Sequence, residues 1–238
     1  MKIEVLSKKI ESVKTDALVI PVFEEEKNFS GNLKKLDEIF EGEISRLVKA
    51  QKFKGGEGKF LVIPTFGKIK ADYVVLSGLG SKKKFELDVL RRLSAYTVRK
   101  AKEIKASDII IDTDIDFGDI DIKDAIQALT EGAILGDYNF DKYFTKKEEF
   151  KISSLSFNVS KKADKDILKE YIHIGKVLAE AQNFTRDLVN EPANVINTLE
   201  FAKIAEDLAK QYGFEIKIYD EEEIEKMGMG AYLAVAKG

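Results

Sequence analysis

Residues 16–22 read DALVIPV, a run in which every residue after the first is apolar. Its length suits a β-strand. A strand that is apolar at successive positions, not alternate ones, has to be covered on both faces. That requirement selects a layered fold with helices on either side of a sheet, and the flanking sequence supplies both kinds of element. Residues 2–6 read as a strand. Residues 33–53 read as one helix, with Leu36, Ile39, Phe40, Ile44, Leu47 and Val48 at steps of three and four. Gly55, Gly56 and Gly58 break that pattern. Two strands follow, KFLVIPTF at 59–66 and DYVVLS at 72–77, and Pro64 predicts an edge position or a bulge for the first. A glycine-rich turn, SGLGS at 77–81, precedes a helix over 86–104, a short buried strand over 108–112, a helix over 124–140 and a strand over 152–159. Gly132 and Gly136 stand four apart in that second helix, where each costs about 1 kcal/mol relative to alanine; close packing against a neighbouring backbone is expected there.

Strands alternating with helices define an α/β class, here a three-layer α/β/α domain with a largely parallel or mixed sheet, ending near residue 160. Residues 161–238 then form a second part. A long helix over 164–189 is stopped by Pro192. Asn197 with Glu200 three residues later resembles a capping box. A helix over 199–212 ends at Gly213, followed by a strand over 214–219, a short acidic helix over 221–226 and a final apolar strand over 231–236. A βα segment this short cannot bury both faces of its own sheet. The expectation is therefore an incomplete second α/β unit, which either adds to the first sheet or continues past Gly238.

Composition excludes several function classes. The formal net charge is −3 and neither part of the chain is a basic module, so the footprint of a nucleic-acid binder is missing. The absence of cysteine removes disulfides and thiolate metal sites, and fits a reducing compartment. The first twenty residues alternate, with no long apolar run, so neither a signal peptide nor a membrane span is expected and a cytoplasmic location follows.

Four local features invite a functional reading, and each has a plainer one. SGLGS between a strand and a helix could offer backbone N–H groups to a phosphate, but it carries only GxG, and Lys82, Lys83, Lys84 and Phe85 separate it from the helix; an ordinary tight turn suffices. Asp112, Asp114, Asp116, Asp119, Asp121 and Asp124 look like a calcium loop, yet Phe117 and Lys123 occupy the positions where an EF-hand needs Gly and Glu. Their alternation also fits a strand running out to a solvated edge. Glu170 and His173 form one E-x-x-H pair, where carboxylate-bridged di-metal bundles use two; His173 is also the only histidine. Tyr138, Phe140 and Tyr143 cluster after a helix, where core packing at the helix end explains them better than ligand stacking.

Three stretches together resemble the leucyl aminopeptidase family of two-metal metallopeptidases: FKGGEGKFLVIPTFGKIKADYVVLSGLG at 53–80, TEGAILGDYNFDKYFTKK at 130–147, and AQNFTRDLVNEPANVINTLEFAKIAEDLA at 181–209, with MGMGAYLAVAKG closing the chain. NFTRDLVNEPAN is the most specific part. The resemblance implies a macro-domain-like N-terminal domain over 1–160, then an interdomain helix and the beginning of a peptidase domain over 161–238. It implies an enzyme that removes N-terminal residues from peptides with two divalent metals, zinc or manganese, in a cytoplasmic homohexamer. The family's metal and catalytic motifs lie downstream of AVAKG, so the resemblance assigns no catalytic, metal or cofactor residue to this chain, which by itself is expected to be inactive. Lys237 belongs to AVAKG and is not the family's metal-binding lysine. Arg186, Asn190, Glu191 and Asn194 match a family signature and are read as helix-end and interdomain structure. The alternative implied by a macro-like fold is a nucleotide or ADP-ribose module using SGLGS. DNA binding, reported for some bacterial members, is disfavoured by the charge.

Overall fold

The computed structural model describes residues 1–25, 28–146 and 150–236. They form two compact units, Met1–Thr185 and Arg186–Gly238. The first holds a six-stranded sheet. Its strands are β1 (Lys2–Leu6), β2 (Thr15–Phe23), β3 (Phe60–Pro64), β4 (Ala71–Gly80), β5 (Asp108–Asp112) and β6 (Ser154–Asn158). Their order is β1-β6-β5-β2-β4-β3, parallel throughout except for β3 against β4. DALVIPV lies within β2, buried between β5 and β4. Pro64 ends β3, the antiparallel edge strand, where its missing N–H costs no ladder bond.

The period of two along β2 sorts its side chains into two cores. Leu18, Ile20 and Val22 pack with Leu33 and Leu36 of α1 (Gly31–Ile39) and Ile44 of α2 (Glu43–Ala50). Ala17, Val19 and Phe23 pack on the opposite face with α3 (Leu87–Glu103) and α4 (Ile122–Asp137). This is the three-layer α/β/α arrangement. The single helix expected over 33–53 is instead two. Glu41 at φ 56° and Gly42 at φ 81° reverse the chain, and the Asp37 carboxylate accepts from Ser45 N at 2.9 Å and Ser45 Oγ at 2.5 Å. The apolar period runs through the break because both helices lie on one face of the sheet.

α3 and α4 pack closely through the two glycines of α4. A Cβ on Gly132 would come within 2.0 Å of the Arg91 carbonyl oxygen, and one on Gly136 within 2.5 Å of Ala95 Cα. Glu131, nearly buried, pairs with Arg91 at 2.6 Å across the same contact and accepts from Gln127 at 2.8 Å. Helix α4 starts two residues before the expected position, with the Asp121 side chain accepting from Lys123 N, and it ends at Asp137.

Helix α5 (Lys165–Asn190) begins in the first unit and runs through the border. Past it come α6 (Thr198–Tyr212), α7 (Glu221–Lys226) and α8 (Gly230–Ala236). Asn197 caps α6 by accepting from Glu200 N at 3.0 Å, and Gly213 closes it at φ 73°. The full reciprocal capping box belongs to Asp220 and Glu223 on α7. Two expected strands are not formed. Residues 214–219 carry no regular structure, and residues 231–236 are helical, within α8. Short apolar runs fit either element, and a strand needs a ladder partner that a helix does not.

Candidate functional site

In open parallel sheets, ligands favour the carboxyl ends of strands where successive connections leave in opposite directions. Here that place lies between β2, which connects through α1 and α2 to β3, and β5, which connects through α4 to β6. A crevice of about 100 Å³ opens there, lined by Pro21, Asn32, Lys82, Asp112, Asp114 and Asp116 among others. A larger cleft of about 410 Å³ lies beside it, walled mainly by Phe23, Phe29, Val48, Phe53 and Leu76.

Asp112 anchors the crevice. It ends β5 with 2% of its surface exposed, and it is held by Asn32 Nδ2 at 2.9 Å and Asn158 Nδ2 at 3.2 Å. Asn158 in turn accepts from Lys8 N at 3.0 Å, and its carbonyl accepts from Thr113 N and Oγ1. One carboxylate thus ties the start of α1 to the ends of β5 and β6. Burial pushes the Asp112 carboxyl above its ordinary range, and the two amides pull it partly back. The expectation that the aspartate run is a solvated strand edge fails at this residue. β5 stops at Asp112, and the chain loops to α4 with Asp116 accepting from Gly118 N and paired with Lys82 at 3.4 Å.

SGLGS is not a turn. Ser77 to Gly80 are the last residues of β4, and the glycines serve backbone packing. A Cβ on Gly78 would lie 2.0 Å from the Gly56 carbonyl oxygen, so this pair of segments requires glycine. Gly78 N donates to Lys59 O at 2.8 Å and Gly80 N to Gly55 O at 2.8 Å. Beyond them, the Glu25 carboxylate accepts from Ser81 Oγ and from Lys82 N at 3.0 Å. Those hydrogen bonds, the Ser81 hydroxyl first, hold Glu25 below the usual carboxylate range. The donors that could have met a phosphate are thus used internally, beside a crevice rich in carboxylates. The arrangement is chemically poor for an anion.

The other sequence candidates are dispersed. Glu170 and His173 are both exposed on α5. Phe140 and Tyr143 meet at 6.0 Å between ring centres; Tyr138 and Phe140 are half-buried at the end of α4, whereas Tyr143 is exposed, which corrects the expectation of core packing for that residue. Arg186 and Asn190 lie in the last turns of α5, Glu191 N donates to Asp187 O at 3.1 Å, and Asn194 is exposed in the turn that follows. Lys237 lies outside the described residues. Among the described residues, no three His, Cys, Asp or Glu side chains are grouped so that they could hold a metal ion. Sequence reasoning missed Glu25 and the Asn32–Asp112–Asn158 clasp. Asp112 left one signal, a charge closing the apolar run DIII; Asn32, 80 residues away, left none.

Comparison with known proteins places this geometry in context. Residues 19–147 match the profile described as the cytosol aminopeptidase family, N-terminal domain, and residues 183–238 match that of the same family's catalytic domain. The chain is 62% identical to a probable cytosol aminopeptidase of Sulfurihydrogenibium sp., over 100% of this chain and 47% of the relative. It is 49% identical to one of Persephonella marina, over 100% and 48%. Among solved structures, a tomato leucine aminopeptidase mutant superposes with a TM-score of 0.84 at 23% identity, covering 99% of this chain and 48% of that one. The bottromycin maturation enzyme BotP gives 0.67 at 20% identity, covering 90% and 41%. The chain spans about half the length of the curated relatives it matches.

Proposed function

Because this chain belongs to the cytosol aminopeptidase family, we propose that the intact protein is a leucyl-type aminopeptidase that removes N-terminal residues from peptides. The observation that carries this reading is the succession, in one chain, of the family's N-terminal domain at 19–147 and its catalytic domain from 183. Two divalent ions, zinc or manganese, are assigned to the reaction; BotP, a neighbour of similar fold, has been solved with manganese. The described residues do not fit such a centre, since they gather no ligand set. In this reading the metal ligands and catalytic residues belong to the part of the catalytic domain beyond residue 238, since the chain spans about half the length of its relatives, and no step of the reaction is routed through the residues described above.

In this reading residues 1–160 are a macro-like N-terminal domain, and residues 161–238 are the interdomain helix and the beginning of the catalytic domain. The border between compact units lies further along, at Thr185, because Leu168 and Ile172 of α5 join the first core. A homohexamer in the cytoplasm completes the proposal; none of the described helices is long and apolar enough to cross a membrane. The test is hydrolysis of a leucine-initiated peptide with added zinc or manganese, by residues 1–238 and by the intact protein. Activity is expected only in the intact protein. Metal-dependent turnover by residues 1–238, surviving controls for contaminating peptidase, overturns the assignment.

A further inference from the structure

The cleft of about 410 Å³ at the carboxyl end of β2 has no part in the reading above. Close-packed interiors leave few voids larger than a water molecule, so an apolar cleft of this size calls for an account. Buried Phe23 and Leu76 reach it from the sheet. Half-buried Phe29, Val48 and Phe53 reach it from the chain before α1, from α2 and from the chain after α2. The wall that carries Phe53 is set by packed backbone: Gly55 lies against β2 so closely that an added Cβ would meet the Phe23 carbonyl oxygen at 2.8 Å. Two charges complete the lining, Glu24 and Lys54, both exposed. Among the described residues neither is paired with another charge. The cleft does not stand open for want of the chain that follows. Helix α5 starts beyond the carboxyl end of β6 and runs to the other end of the sheet, where Lys176, Glu180 and Asn183 share a separate cleft with Met1, Lys2 and Ile3. The polypeptide leaves the first unit there, at the amino ends of the strands.

We propose that this cleft binds a single free amino acid with a large apolar side chain, of the leucine or phenylalanine kind. Its side chain lies among Phe23, Phe29 and Phe53, its carboxylate meets Lys54 and its ammonium meets Glu24. The volume stands near the lower end of the range of about 300–1,000 Å³ for small-molecule sites, which limits the ligand to a small one. Three phenylalanines with Val48 and Leu76 select an aliphatic or aromatic group. The two opposite charges select a ligand that carries both signs and no net charge. An anion would meet Glu24 as well as Lys54, and a cation would meet Lys54 as well as Glu24. The ligand class follows from the cleft alone. It coincides with the product released in the peptidase reading above, and only a use of the cleft as a product sensor rests on that reading.

The test is site-specific, so that binding at the peptidase centre does not obscure it. The intact protein, loaded with zinc or manganese, is irradiated with the diazirine analogue of leucine, and the labelled segments are mapped by mass spectrometry. Label is expected in the segments that carry Phe29 and Phe53, displaced by L-leucine with a half-point of about 1 mM or below. Isocaproate lacks the ammonium and isoamylamine lacks the carboxylate. Each should compete at least about threefold less well than leucine, the scale of one exposed ion pair. Lys54→Met should lower the label in these segments by a similar factor, and Lys54→Arg should preserve it; the position is exposed, so both variants keep the core intact. Absence of label at the cleft, label that leucine does not displace, or equal competition by either half-ligand overturns the proposal, as does undiminished label in Lys54→Met. Hydrolysis of a leucine-initiated peptide by the unsubstituted intact protein is measured alongside. A labelled cleft without hydrolysis refutes the peptidase reading and leaves the binding site standing, whereas hydrolysis with an unlabelled cleft does the reverse.

Discussion

The two compact units differ in how much apolar surface residues 1–238 bury within each. In Met1–Thr185 each face of the sheet is covered by helices, and two apolar clusters share the strands between them. In the described residues of Arg186–Gly238 only Ala209 is buried, and Leu199, Tyr212, Tyr232 and Val235 are each more than 60% exposed. Yet α6 and α7 start and stop as cleanly as the helices of the first unit, at Asn197, Asp220 and Gly213. Capping residues mark where helices begin and end; burial decides how firmly they are held. The second unit has the first ingredient without the second.

The sharpest way to test that contrast is to add atoms where the first unit has no room. Gly78→Ala and Gly132→Ala each place a Cβ within 2.0 Å of a backbone carbonyl oxygen, which cannot swing aside as a side chain can. A loss of about 3 kcal/mol or more is expected, read as a lower urea midpoint with the slope unchanged. Gly230→Ala, with nothing near its Cβ, is the matched control in the second unit and should change little. Equal effects at all three would mean that the first unit is not packed as described.

Removing atoms gives the next largest effect. Leu129, fully buried between α4 and the sheet, should cost about 2–5 kcal/mol as Leu129→Ala. Leu199→Ala, at 82% exposure, should cost less than about 0.5 kcal/mol in residues 1–238. In the intact protein the same change should cost more if the second unit is completed by further chain. An unchanged value there would argue that Leu199 stays in water.

The Asp112 clasp adds a dependence on pH. Its carboxyl is raised above 3.8 in the folded state, so between 3.8 and the raised value the folded chain holds more of this proton than the unfolded chain. Stability contributed by this group is therefore greatest at the acid end and falls as pH rises through that window. Glu25 and Asp116 are shifted down and act in the opposite sense, losing their contribution as pH falls. The test is the difference between the parent and Asp112→Asn across pH, which removes the other groups. The parent should lose stability relative to Asp112→Asn as pH rises above about 3.8. A flat difference would mean that Asp112 is less buried than it stands here.

The smallest effect concerns two hydroxyls. Ser94 Oγ and Thr97 Oγ1, one turn apart on α3, are buried without a hydrogen-bond partner among the described residues. Ser94→Ala and Thr97→Val should be neutral or stabilising by up to about 1 kcal/mol. A loss larger than that in thermal melts would show that each hydroxyl has a bound water as its partner.

Residues 16–22 announced their own burial, Pro64 its edge, and Gly132 with Gly136 the close approach of two helices. Each is a property of a residue type acting on its own neighbourhood: continuous apolarity, a missing N–H, a missing Cβ. The caps at Asn197 and Gly213 were legible for the same reason, since their hydrogen bonds close within four residues. The break between α1 and α2 was hidden because the apolar period continues across it, and the run at 231–236 was hidden because six apolar residues fit a strand as well as a helix.

The crevice was decided elsewhere. SGLGS reads as an ordinary tight turn until Gly55 and Gly56 are seen against Gly78, and Ser81 looks available until Glu25 is found on it, 56 residues away. Asp112 became a buried clasp only because parallel pairing of β5 with β6 brought Asn158 beside it and the crossover from β2 brought Asn32. The sequence by itself determined the layers and most of the boundaries, because those follow from which side chains avoid water and which backbones can bend. What meets at the carboxyl ends of the strands was left to tertiary structure, because strand order joins residues whose separation along the chain carries no local signal.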